Sequence, residues 1–197
     1  MTPMKYDFTI VGAGIVGLSA AYKLSLKLPD KKILVIEKED GVARHQTGRN
    51  SGVIHSGVYY KPGSYKAKNC VNGRHQLVQF CEEFDVKHKI CGKLIVAEKQ
   101  EDIPTLHRIF DRGQQNGIER MQLVGPERMR EVEPEVAGVK AIHVGCTGIV
   151  DYRGMCEKLA ELIQKRGNEV RYSAELTAIK ETNDGVRLTV SNQEIHT

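Results

Sequence analysis

The chain has 197 residues, of which 40% are hydrophobic and 27% charged, enough for one domain or two small ones with a packed core. Its 29 Lys and Arg exceed the 25 acidic residues only slightly, and the surplus is spread along the chain, which argues against nucleic acid and against a strongly basic membrane surface. Five cysteines with no C-x-x-C spacing point to free thiols in a reducing compartment instead of a disulfide framework, and with no run near ~18 apolar residues any membrane contact is peripheral.

The first element reads as a short buried strand, Phe8 to Val11, which ends in glycine. Lys5 and the apolar "FTIVGAGIVGLSAA" superficially match a secretory signal, but Asp7 precedes the run and three glycines interrupt it. "IVGLSAAYKLSLKLP" follows with Ile15, Leu18, Ala21 and Tyr22 near helical spacing, and Pro29 stops the helix. "KKILVIEKE" supplies a second β-branched strand, Ile33 to Ile36, which completes a βαβ unit ending in Glu37.

Within that unit lies Gly12-x-Gly14-x-x-Gly17, with Glu37 twenty residues after the last glycine. Gly12 permits the tight turn, Gly14 lets backbone approach a pyrophosphate, and Gly17 lets the helix lie close on the sheet. The helix start at Ile15 and Val16 offers N–H groups and a positive dipole end to phosphate, while Glu37, with Lys38 beside it, can meet a ribose hydroxyl. Strand before, helix after and acid at this distance define an adenine-dinucleotide site.

The next stretch, "HQTGRNSGVIHSGVYYKPGS" over residues 45–64, holds four glycines, two histidines and three serines. This composition predicts neither helix nor good strand but a loop wrapped around a polar ligand, with Thr47, Arg49, Asn50, Ser51 and Gly52 along it. An NAD-binding domain would continue with further βαβ units. A polar loop here implies a group that extends past the pyrophosphate, and FAD fits that role.

Residues 64–84 read as a helix whose apolar pattern is interrupted at Gly73, "KLIVAE" as a strand, and "EDIPTLHRIFDRGQQNG" as a helix closed by Gly117. "PERMREVEP" gives a short helix and "VKAIHVG" a strand. "DYRGMCEKLAELIQKRGNEVRYS" gives a helix with Met155, Leu159, Leu162 and Ile163 on one face, then a strand. "AELTAIKETNDGVRLTVSN" closes as a hairpin turning at Asn-Asp-Gly.

"VGAGIVGL", "VIEKE", the loop at 45–64, "CGKLIVA" and "TGIVDYR" together closely resemble the L-2-hydroxyglutarate oxidase/dehydrogenase family, within the FAD-dependent D-amino-acid-oxidase-like superfamily. The resemblance runs from about Tyr6 to the C-terminal end and matches an N-terminal half. It implies an α/β fold, with residues 1–85 and 149–197 forming an incomplete Rossmann-like FAD-binding domain and residues 86–148 the first part of an α+β substrate domain. It places backbone near Leu176 by the adenine. It implies oxidation of L-2-hydroxyglutarate to 2-oxoglutarate, with electrons passing to a quinone or oxygen. The expected setting is cytoplasmic, with peripheral contact to the inner membrane left open. A further strand of the family fold would pair with "FTIVGAG"; without it that strand is an apolar edge, and the isolated chain is expected to be poorly soluble or flavin-poor.

Histidine is the side chain suited to moving a proton near neutral pH, which makes His55, in the loop expected to pass the flavin, the candidate catalytic base and substrate contact. A donor role toward the flavin ring stays open for it. Arg49 could steady the pyrophosphate or a substrate carboxylate, and Tyr60, like Tyr59, could line the substrate. His88-x-x-Cys91 and His143-x-x-Cys146 carry zinc-type ligands, but both lie in or beside strands where side chains three apart face opposite ways, so no metal is expected.

Overall fold

The computed structural model describes residues 4–197. In chain order the strands are β1 (Met4–Lys5), β2 (Phe8–Val11), β3 (Ile33–Ile36), β4 (Val53–Ile54), β5 (His88–Lys89), β6 (Lys93–Ala97), β7 (Met121–Val124), β8 (Lys140–Val144), β9 (Gly148–Val150), β10 (Glu169–Arg171), β11 (Leu176–Thr182), β12 (Gly185–Val190) and β13 (Gln193–His196). The helices are α1 (Ile15–Lys27), α2 (Tyr65–Glu83), α3 (Ile103–Gln115), α4 (Pro126–Val132) and α5 (Tyr152–Lys165), with 3-10 turns at Gln46–Arg49 and Gln100–Asp102. They divide into two compact units, the first containing the residues up to Ser51 together with Asp151–Thr197, the second Gly52–Val150.

The first unit is α/β. Its parallel sheet has the order β10-β3-β2, with β3 in the middle and all four β3 side chains buried, each burial contributing roughly 1.5–3 kcal/mol. A continuous apolar run is what a parallel strand covered on both faces requires. Leu18, Ala21 and Ser25 are the buried residues of α1, and Met155, Cys156, Leu159, Ala160 and Ile163 form the buried stripe of α5. Asp151 caps α5 by accepting the Gly154 N–H at 2.9 Å, and Gly167, at φ +80°, turns the chain out of it. Among the described residues β2 pairs only with β3, so its other side is an edge.

A second sheet, in the order β1-β13-β12-β11, packs Leu188, Val190 and Ile195 with Leu34 and Ile36. The hairpin of β11 and β12 turns at Asn183 and Asp184 as expected. The segment after it does not trail off: Gln193–His196 forms β13, antiparallel to β12 and parallel to β1. Tyr6 joins the two sheets. Its hydroxyl donates to Glu169 Oε2 at 2.5 Å and accepts from Arg171 Nη2 at 2.7 Å, while the guanidinium also lies 5.7 Å from the ring centroid.

The second unit is α+β. An antiparallel sheet, β6-β8-β7, carries α3 and α4, and a small sheet, β4-β9-β5, stands apart from it. Val58, Leu106, Ile142 and Val144 are central to its core. Helix α2 runs through Gly73 without a break. Its Val71 packs on that core, and Arg74 Nη1 donates to the Cys146 carbonyl at 3.3 Å. For this reason the compact unit begins at Gly52, where the sequence places a division after residue 85. The polar loop is also more structured than its composition predicts, with a 3-10 turn at Gln46–Arg49 and a short strand at Val53–Ile54. No described helix is long and apolar enough to cross a membrane.

Burial and the Glu169 carboxylate push the Tyr6 hydroxyl up to about 12. Because its folded value lies above the ordinary one, the stabilisation is present below about pH 10 and is lost as pH rises through about 12. Tyr6→Phe is therefore expected to cost about 1 kcal/mol at pH 7 and to flatten the fall in stability between pH 10 and 12, read by urea denaturation at each pH.

Candidate dinucleotide site

The turn after β2 is held from two sides. Gly12 sits at φ +101°, a left-handed conformation open to glycine, and its N–H donates to the Ile36 carbonyl at 2.7 Å. A Cβ on Gly17 would stand 2.1 Å from the Gly12 carbonyl oxygen, so only glycine lets α1 pack this tightly against the turn. Glu37, 9% exposed, accepts the Ala13 N–H at 2.7 Å through Oε2 and the Glu39 N–H at 3.0 Å through Oε1. The sequence aims this carboxylate at a ribose. In the structure it also fastens the glycine turn to the end of β3.

Helix α1 starts without a side-chain cap at Gly14 and without an acid in its first turn. The first-turn N–H groups of a helix and the positive end of its dipole favour an anion. Thr47 Oγ1 takes the Ile15 N–H at 3.1 Å, and a Cβ on Gly14 would come within 3.2 Å of that oxygen. Thr47 is placed by the 3-10 turn, where its carbonyl accepts from Asn50 Nδ2 at 2.8 Å.

Two clefts meet here. One, about 580 Å³, is lined by Ile15 and Val16 at the helix start and by His45, Gln46, Thr47, Arg49 and Asn50. The other, about 350 Å³, is lined by Gly12, Glu37, Lys38, His45 and Leu176 with Val11, Ile36, Ala174 and Glu175. His45 borders both, and its Nε2 lies 2.8 Å from Glu39 Oε1. The structure thus gathers Gly12, Gly14, Ile15, Val16, Gly17, Glu37, Lys38, Thr47, Arg49, Asn50 and Leu176 in one unit. Ser51 and Gly52 line neither cleft; Gly52, at φ +68°, belongs to the second unit, where its carbonyl accepts from Val150 N–H at 2.8 Å.

His45 and Glu175 escaped the sequence reading. His45 stands at the head of the glycine-rich stretch and offered that position as its only signal, whereas Glu175 is brought to Glu37 by the Ala174 N–H bond to the Glu37 carbonyl at 2.8 Å. His55 and Tyr60 lie in the second unit as exposed residues on either side of the buried Ser56, Gly57 and Val58. The His55 carbonyl accepts from Cys70 Sγ at 3.6 Å, and the Tyr60 carbonyl from Asn116 Nδ2 at 2.9 Å. Among the described residues no three His, Cys, Asp or Glu side chains gather as a metal site.

A βαβ unit with a glycine turn, a buried acid at the second strand end and an open helix start defines a dinucleotide-binding protein. The profile of the FAD dependent oxidoreductase family matches residues 7–197, and the chain belongs to that family. It is 48% identical over 167 residues to an L-2-hydroxyglutarate dehydrogenase of Indibacter alkaliphilus, covering 85% of this chain and 42% of that protein. With the mitochondrial L-2-hydroxyglutarate dehydrogenase of Homo sapiens it shares 46% over 175 residues, 89% of this chain and 38% of that one. The chain thus spans less than half the length of these curated relatives.

Among solved structures, an L-alpha-glycerophosphate oxidase from Mycoplasma pneumoniae with FAD bound superposes with a TM-score of 0.87 at 25% identity, covering 98% of this chain and 51% of that one. A glycine oxidase from Geobacillus kaustophilus shares the fold, with a TM-score of 0.86 at 19% identity, 98% of this chain and 53% of the other. FAD is the family's cofactor, and the residues fit it: the start of α1 has no acid in its first turn to oppose a diphosphate, and Arg49 lines the cleft beside it. Replacing Gly17 by Ala drives a methyl into the Gly12 carbonyl, so Gly17→Ala is expected to cost about 1–3 kcal/mol in thermal unfolding and to lower the flavin-to-protein absorbance ratio of the purified protein at least tenfold.

Proposed function

We propose that the protein oxidises L-2-hydroxyglutarate to 2-oxoglutarate, with FAD as hydride acceptor and a quinone or oxygen as the final oxidant. The observation that carries this reading is the 48% identity, over 85% of the chain, to a protein named L-2-hydroxyglutarate dehydrogenase. The bound flavin would take the two electrons and the hydrogen leaving the carbinol carbon. This chain's residues then have three tasks. The start of α1, with Thr47 and Arg49, holds the diphosphate; Glu37, Lys38 and Leu176 hold the adenosine end; His55 takes the hydroxyl proton, with Tyr60 against the substrate.

In this reading the first unit is the cofactor portion and the second belongs to the substrate portion. The five free cysteines support a reducing compartment such as the cytoplasm. The unpaired side of β2 is an apolar edge suited to a further strand, so the 197-residue chain alone is expected to retain flavin weakly. A second reading, oxidation of glycerol phosphate, draws on the likeness to the Mycoplasma pneumoniae oxidase.

Anaerobic bleaching of the flavin with a panel of hydroxy acids, amino acids and glycerol 3-phosphate separates these readings. L-2-hydroxyglutarate is expected to reduce the flavin fastest, and bleaching by glycerol 3-phosphate alone would transfer the assignment. Flavin that no substrate reduces would mark a non-catalytic flavin-binding chain. His55→Ala is expected to slow reduction by about 10²–10⁴ at unchanged flavin content, the usual contribution of a proton-transfer group; reduction at the parent rate would remove His55 from that task.

A further inference from the structure

The second unit holds a cation without a counter-charge. Lys93 opens β6 as a half-buried side chain whose ammonium lies 4.9 Å from the centroid of the Tyr59 ring. Among the described residues no carboxylate oxygen comes within 4.0 Å of it. The titratable groups that face it are the thiols of Cys70 and Cys146, which burial pushes up and so keeps neutral; burial pulls the ammonium of Lys93 itself down. Arg74 on α2 borders the same two thiols. It is 6% exposed, its Nε is buried with no acceptor, and its carboxylate neighbour, the half-exposed Glu119, stands 3.5 Å away.

One loop ties this cluster to the candidate base. Cys70 Sγ donates to the His55 carbonyl, and a Cβ on Gly57 would meet Cys70 Cβ at 3.2 Å, so residues 55–60 are seated on α2. His55 and the Tyr59 ring beneath Lys93 belong to that same seated segment. A half-buried ammonium that faces two neutral thiols and no carboxylate is unfavourable until an anion joins it.

We propose that Lys93, with Tyr59 beneath it, forms a carboxylate subsite of the second unit that pairs with a carboxylate of the hydroxy-acid substrate. The inference rests on the reading of the substrate as L-2-hydroxyglutarate. In the flavin-loaded protein, Lys93→Met is expected to raise KM for L-2-hydroxyglutarate about thirtyfold, or about 2 kcal/mol, the size of one charge-assisted hydrogen bond, with kcat within about threefold of the parent. Lys93→Arg is expected to restore KM to within about fivefold of the parent, a rescue that a purely structural role would not produce. The inhibition constant of glutarate should rise with KM.

A 2-hydroxy monocarboxylate tells which carboxylate is held. Unchanged KM for it supports a subsite for the carboxylate far from the hydroxyl, and an equal rise supports one for the nearer carboxylate. Unchanged KM for L-2-hydroxyglutarate together with unchanged glutarate affinity in Lys93→Met overturns the subsite. If the parent is not reduced by L-2-hydroxyglutarate, the functional reading fails, and glutarate titration of the flavin spectrum decides the subsite alone: binding by the parent that Lys93→Met loses supports it, and no binding by the parent overturns it. Should Lys93→Met not fold by circular dichroism, Lys93→Gln takes its place in every arm.

Discussion

The bond from the Ala13 N–H to the Glu37 carboxylate is the constraint on which the first unit depends. It crosses from the glycine turn to the tip of β3 at 2.7 Å in a buried setting, where an unsatisfied carboxylate would be costly. A second backbone donor, the Glu39 N–H, completes its satisfaction from the other side. With Ala13 fixed, Gly12 stays left-handed, Gly17 fits beneath the Gly12 carbonyl, and α1 begins at a defined distance from the sheet. The amides of that first turn are thereby held in one orientation, the preorganisation that the proposed diphosphate contact draws on.

The neighbouring polar segment completes the arrangement with modest interactions. Thr47 occupies the Ile15 amide, which anchors the 3-10 turn to the helix start and directs Arg49 and Asn50 along the larger cleft. Glu39, whose backbone is fixed by Glu37 and whose carbonyl accepts from Ser173 N–H at 2.8 Å, in turn positions His45 between the two clefts. One buried acid thus fixes the positions of its neighbours through short, local bonds. No long-range ion pair is needed, and exposed ones contribute little.

What the sequence made legible follows from local physics. The β2–α1–β3 unit was readable because apolar periodicity switches from strand to helix and back, and because each of Gly12, Gly14 and Gly17 has a steric reason visible in the spacing alone. The tight hairpin and the stripe of α5 were readable for the same reason. What escaped depends on partners distant in the chain. Met4–Lys5 and Gln193–His196 carry weak strand signals and are strands because they pair with one another across the unit. The helix over 64–84 was legible despite Gly73, and its packing on the second core sustains it through that glycine. His45 has no signal of its own, since its role depends on Glu39 reaching it through a turn. That the second compact unit begins at Gly52 likewise reflects where α2 packs, which no local propensity encodes.

The two ends of the second unit meet. Val53 pairs with Ile149, and the Val150 N–H reaches the Gly52 carbonyl at 2.8 Å, so the whole excursion from 52 to 150 leaves and returns at one point. Parallel sheet β10-β3-β2, by contrast, waits for a strand near residue 170. On the ribosome residues 52–150 emerge while the Gly12 turn still lacks β10 and α5, so the strand order β10-β3-β2 is reached only after the strands of the second unit have been made.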